Sequence, residues 1–113
     1  MTFHGSLESL QALVRRLAIP CHWEHKGPFE LCVFEDGSAL DTATMQALAL
    51  QFNLSETTFL LPPEDAKADY KVRIFTPGGE LPFAGHPTLG SCWAWLAAGG
   101  RPRAEGVVVQ ECG

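Results

Sequence analysis

Positive charge is scarce in this chain. Eight Lys and Arg stand against 13 Asp and Glu over 113 residues, a formal net charge of -5. Such a balance lacks the basic face that generic nucleic-acid binding needs. Long apolar runs are also missing: none approaches the roughly 18 residues that a membrane span requires. Arg15 and Arg16 interrupt the hydrophobic stretch near the N-terminus, so no apolar core of secretory type stands there. Repeats, low-complexity tracts and linker-like runs are absent. The composition, 46% hydrophobic and 19% charged, excludes a disordered chain and fits one soluble domain with a modest core.

Cysteine is present but sparse. Cys21, Cys32, Cys92 and Cys112 lie far apart in apolar or strand-like contexts. Without an export signal they read as reduced thiols, mostly buried, in a cytoplasmic protein. Four cysteines can pair in three ways, and the sequence leaves a disulfide open.

Residues 6–17 carry Leu7, Leu10, Leu13, Val14 and Leu17 at helical spacing behind Ser6 as N-cap, and Pro20 ends that helix. Glu30 to Phe34 reads as a short strand, stopped by the Asp36-Gly37 turn signal. Asp41 caps a second helix with Met45, Leu48, Ala49 and Phe52 on one stripe. Strands are expected from Thr57 to Leu61 and from Tyr70 to Phe75, where apolar and basic residues alternate. A third helix runs from Pro87 to Ala98, with Leu89, Cys92, Trp93 and Leu96 as its buried face, and Gly99-Gly100 terminates it. Val107-Val108-Val109 begins a final strand with no following turn, which leaves an unpaired edge at the C-terminus. The order α-β-α-β-β-α-β argues a mixed α+β domain.

Two segments can carry chemistry. Glu56 follows the second helix, flanked by Ser55 and Thr57. It is a general base if partly buried, because burial raises its pKa towards neutrality, and otherwise a solvated loop glutamate. In Phe83-Ala84-Gly85-His86-Pro87-Thr88-Leu89-Gly90, Gly85 permits close approach of a ligand and Pro87 sets the helix entry. The free N–H groups and the dipole of such a helix start favour a carboxylate or phosphate, and His86 adds a proton donor. The competing reading is a helix start with His86 packed locally.

Other patterns are weaker. Cys21-His22-x-x-His25 lacks a complete metal-ligand set and reads as a surface loop, so no metal site is expected. Pro77-Gly78-Gly79-Glu80 lacks the Gly-Lys-Ser/Thr of a phosphate-binding loop and reads as a turn aiming the next segment. Trp93 and Trp95 cannot both face one core, so one sits at an interface or half-exposed.

From about Leu40 to Gly113 the sequence resembles the N-terminal half of the PhzF-like, phenazine-biosynthesis isomerase-like family. The resemblance rests on Met45-Gln46, on Phe52-Asn53-Leu54-Ser55-Glu56-Thr57-Thr58-Phe59, on Asp69-Tyr70 and Val72 through Gly90, and on Val109-Gln110-Glu111-Cys112-Gly113. Gly27-Pro28-Phe29-Glu30-Leu31 stands where that family has an N-terminal strand and a Gly-Asn-Pro-like loop. The resemblance implies a diaminopimelate-epimerase-like fold, a mixed sheet wrapped around a central helix, with residues 1–22 a divergent helical segment and 23–113 a half-domain truncated after its last strand. It implies Glu56 as the proton-transfer residue acting with His86, and Ser55, Gly85 and His86 in contact with a small carboxylate-bearing substrate, dihydroaromatic or amino-acid-like. Neither metal, nicotinamide nor pyridoxal cofactor is implied. The family's second domain supplies further active-site residues, so the alternative is a non-catalytic binding or interaction module. In either case a lone half is expected to form a homodimer, with no nucleic-acid or membrane partner.

Overall fold

The computed structural model describes residues 21–26 and 29–112, with side chains from Leu31 to Cys112. The helix expected over 6–17 lies outside them. Six strands, β1 (Cys21–Lys26), β2 (Phe29–Phe34), β3 (Glu56–Leu61), β4 (Tyr70–Thr76), β5 (Gly79–Leu81) and β6 (Gln110–Cys112), form one mixed sheet. Helices α1 (Thr42–Phe52) and α2 (Gly85–Ala97) pack against it. This is the α+β architecture that the element order predicts.

The sheet runs β1-β2-β3-β4-β5, and β6 joins β4 beside β5. β2 and β3 are parallel, in register Leu31↔Glu56 to Phe34↔Phe59. β3 and β4 are antiparallel, and β6 lies parallel to β4 with Tyr70 opposite Gln110. Both faces of β2 and β3 are covered, and Leu31 to Phe34 accordingly reads as a continuous apolar run, whereas β3 opens on Glu56-Thr57-Thr58. Cys32, Phe34, Phe59 and Phe75 face α1, whereas Leu31, Val33, Leu60, Tyr70, Val72 and Ile74 face α2.

Helix α1 behaves as its pattern dictates. Asp41 Oδ1 accepts from the Thr44 N–H at 2.7 Å, and Asn53 ends the helix in a left-handed conformation at φ 52°. Met45, Leu48, Ala49 and Phe52 are buried. They pack on a ladder of aromatic rings, with Phe34 stacked on Phe59 at 5.0 Å and on Phe52 at 5.7 Å. Each large side chain buried here contributes about 1.5–3 kcal/mol of transfer free energy. A Cβ on Gly37, at the turn before α1, would lie 3.0 Å from Phe59 Cβ and 3.1 Å from Met45 Cε, so those side chains would have to give by a few tenths of an ångström.

Helix α2 overturns an expectation. Its buried face is Pro87, Ser91 and Ala94, not the larger stripe. Leu89 is 74% exposed, Trp93 64% and Leu96 44%, and Cys92 is half-buried. Ala94 packs among Leu31, Val33, Leu60, Tyr70 and Ile74 of the facing sheet. Trp95 takes the inward place of the two tryptophans, 5.2 Å from the Tyr70 ring.

Three smaller expectations change. The segment read as a surface loop around His22 and His25 is strand β1, paired residue for residue with β2. Pro77-Gly78 is the two-residue loop of a hairpin, and Gly79-Glu80-Leu81 is a strand whose Glu80 makes two 2.8 Å hydrogen bonds with Arg73. The last ladder starts at Gln110, whereas Val107 makes an isolated bridge to Ala104. The cysteines also depart from a uniformly reduced, buried set: Cys32 is disulfide-bonded, Cys92 and Cys112 are free, and Cys112 is exposed. No helix among the described residues is long and apolar enough to cross a membrane.

Candidate active site

Alternation along β3 points Glu56, Thr58 and Leu60 to the α2 side, and Thr57 and Phe59 to the α1 side. Glu56 opens the strand, at the end of the sheet where α2 begins. Thr58, two residues on, shares a 2.9 Å hydrogen bond with Ser91, both fully buried. That bond anchors the middle of α2 to the central strand, and His86 comes close enough to Glu56 to act on it electrostatically.

Glu56 is half-buried, and its Oε2 is buried without a hydrogen-bond partner. Burial raises its pKa above the ordinary carboxylate range, and the neighbouring His86 only partly offsets that shift. His86 Nε2 is likewise a buried atom. A carboxyl perturbed by burial in this way is a candidate proton-transfer group.

Helix α2 begins two residues before Pro87, so Gly85 and His86 belong to its first turn. Ala84, at the N-cap position, is extended (φ -154°, ψ 140°) and supplies no side-chain cap. The positive end of the helix dipole is therefore left to other partners. A Cβ on Gly85 would meet no atom within 4 Å. Open space and backbone donors thus coincide at this turn, which suits an anionic ligand. Ser55 stands half-buried one residue before β3.

Some participants were invisible as such in the sequence. Thr58 could have been placed beside Glu56 by the two-residue strand period, but nothing pointed to Ser91 as its partner. A second concavity of about 310 Å³, lined by Asp36, Leu60, Pro62, Asp69, Tyr70 and Trp95 among others, lies at the opposite end of β3. Its two aspartates serve the backbone: Asp36 accepts from Ser38 N–H, and Asp69 from Arg103 and Val109 N–H. Among the described residues no cluster of three or more His, Cys, Asp or Glu could hold a metal ion.

The family model described as phenazine biosynthesis-like protein matches residues 27–113. The chain belongs to that family. The match begins at residue 27, so β2 is part of it as well as the motifs around Glu56 and His86. An uncharacterized isomerase from Mesorhizobium japonicum is 51% identical over 81 residues, covering 72% of this chain and 27% of that protein. A trans-2,3-dihydro-3-hydroxyanthranilate isomerase from Pseudomonas chlororaphis is 53% identical over 62 residues, covering 55% and 22%. A solved structure titled a predicted epimerase from Pseudomonas aeruginosa aligns with a TM-score of 0.55 and 47% identity, over 66% of this chain and 26% of that one. The chain spans about a quarter of the length of the relatives it matches.

Proposed function

We propose that this member of the phenazine biosynthesis-like family carries one wall of a cofactor-independent isomerase site. Glu56 is its proton-transfer residue, and the first turn of α2, with Gly85, His86 and the nearby Ser55, holds a small carboxylate-bearing substrate. The observation that carries the reading is Glu56 itself, with a buried carboxylate oxygen left without a hydrogen bond and a raised pKa beside His86 and an uncapped helix N-terminus. In the reaction Glu56 takes a proton from one ring carbon. The released electron pair shifts through the adjoining double bonds, and the resulting carboxylic acid returns the proton to another carbon. No electrons leave the substrate. Incubation with trans-2,3-dihydro-3-hydroxyanthranilate in deuterated water tests this: wild-type protein incorporates deuterium, and Glu56→Gln binds the acid without exchange. Wild-type protein that neither binds nor exchanges overturns it.

The exposed apolar face of α2 favours a second reading, a binding module without turnover. Phe83, 61% exposed, and Leu89 flank Gly85 and His86, and Trp93 and Leu96 continue the patch. A patch of this kind marks an interaction surface. We propose a second copy of the chain as its occupant, because the patch is continuous with the one-walled site, and a subunit seated on it lies over that site. Sedimentation across a wide concentration range then shows a dimer that Leu89→Asp dissociates; a wild-type monomer at high concentration refutes it. A cytoplasmic location is part of the same proposal, checked by fractionation.

A further inference from the structure

Beyond the Thr58–Ser91 anchor, a directed series of hydrogen bonds ends at the ligand-facing turn. The Tyr70 hydroxyl donates to Gln110 Oε1 at 2.8 Å. Gln110 Nε2 donates to Thr88 Oγ1 at 3.1 Å, and Thr88 Oγ1 donates to the Ala84 carbonyl at 2.9 Å. Each hydroxyl has one hydrogen to give, so once Thr88 donates to Ala84 it can only accept from Gln110. The amide then turns its oxygen to Tyr70, and every group in the series is used in one direction. The supports at its far end are firm: Tyr70 is 2% exposed, and Gln110 lies opposite it in the β4–β6 ladder.

The terminus of the series matters because a peptide unit is planar. The Ala84 carbonyl and the Gly85 N–H belong to one plane and point in opposite directions. The carbonyl also accepts the Thr88 N–H at 3.3 Å. A carbonyl held by both the backbone and the side chain of Thr88 fixes the peptide plane and leaves the Gly85 N–H one direction, away from the body of α2.

We propose that Gln110 is a positioning residue for this site: through Thr88 and the Ala84 carbonyl it aims the Gly85 N–H at the anionic group of the bound ligand. The inference rests on the functional reading above and deepens it. It gives the Gln110 of the C-terminal Val109-Gln110-Glu111-Cys112 segment a task that β-pairing alone does not require, since pairing uses only backbone.

The test uses anthranilate as a non-reacting probe, with the Gly85 amide followed by NMR. Gln110→Glu keeps an acceptor for Tyr70 but removes the donor to Thr88. Thr88→Val ends the series at its last step, and Thr88→Ser restores it. Wild-type and Thr88→Ser proteins show a probe-induced shift of the Gly85 amide. Gln110→Glu and Thr88→Val lose that shift and bind about tenfold more weakly, the scale of one misdirected hydrogen bond to a charged group. Thermal unfolding and the amide protection of α1 stay near wild type, which separates aiming from folding. Probe binding and a Gly85 signal indifferent to all three substitutions overturn the role of Gln110. Failure of wild-type protein to bind the probe overturns the functional reading, and this proposal with it.

Discussion

Helices α1 and α2 lie on opposite faces of one sheet and use their apolar residues in opposite ways. α1 turns its large side chains, Met45, Leu48 and Phe52, into the aromatic ladder and leaves Leu50 outside. α2 turns small residues inward and carries Leu89, Trp93 and Leu96 on its outer side. The bulk of the facing sheet does not separate them, since α1 meets Phe34, Phe59 and Phe75 whereas α2 meets Leu60, Tyr70 and Ile74. The difference lies in which face of each helix is turned inward. An apolar stripe at helical spacing says that a surface wants cover; it does not say that this sheet provides it.

The largest test of that contrast is a matched pair of truncations. Leu48→Ala in α1 costs about 2–5 kcal/mol by chemical denaturation, because a fully buried leucine is removed. Leu96→Ala in α2 costs less than about 1 kcal/mol, as for a surface position. Equal losses would place the outer face of α2 in a core. The second test concerns the small-residue interface. Thr58→Val strands the buried Ser91 hydroxyl and costs about 1–3 kcal/mol, whereas Thr58→Val with Ser91→Ala recovers most of that loss. A double mutant no more stable than the single one would mean that the hydroxyl pair is not the unit we describe.

The smallest effects separate the two helix starts by pH. The Asp41 carboxyl is held below its ordinary pKa by its hydrogen bonds to Thr44. Its contribution to stability is therefore present above the ordinary Asp value and lost as pH falls through the lower folded value. Glu56, near the start of α2, is shifted the other way by burial. Ionised Glu56 opposes folding, so its favourable contribution is present below the ordinary Glu value and lost as pH rises through the raised folded value. Thermal melts should accordingly show Asp41→Asn less stable than wild type at neutral pH and Glu56→Gln more stable. Both differences shrink towards zero in acid. Two substitutions with the same sign would refute the assignment.

Much of the frame was legible. The stripe of α1, its Asp41 cap, and strands β2, β3 and β4 follow from local pattern, because each of these elements buries the residues its periodicity selects. β1 was not legible: His22, Glu24 and Lys26 alternate with Cys21, Trp23 and His25 in a run that looks polar, and only its pairing with β2 makes it a strand. β5 was lost to its own turn residues, since Gly79 reads as a loop. In the site, Glu56, Gly85 and His86 carry recognisable chemistry. Thr58, Ser91, Thr88 and Gln110 do not, because a hydroxyl or an amide acquires meaning only from the partner that the fold sets opposite it.

The parallel pairing of β6 with β4 has a consequence in time. Tyr70 and Gln110 are neighbours in the sheet but lie forty residues apart in the chain, with β5 and α2 between them. The β4–β5 hairpin closes across two residues and forms early, whereas a contact of such long range bears the full entropy of loop closure and forms late. The turn bearing Gly85 and His86 receives its last hydrogen bond from that late strand. We therefore expect the first turn of α2 to gain amide protection after the β4–β5 hairpin during folding, which pulsed hydrogen exchange would show.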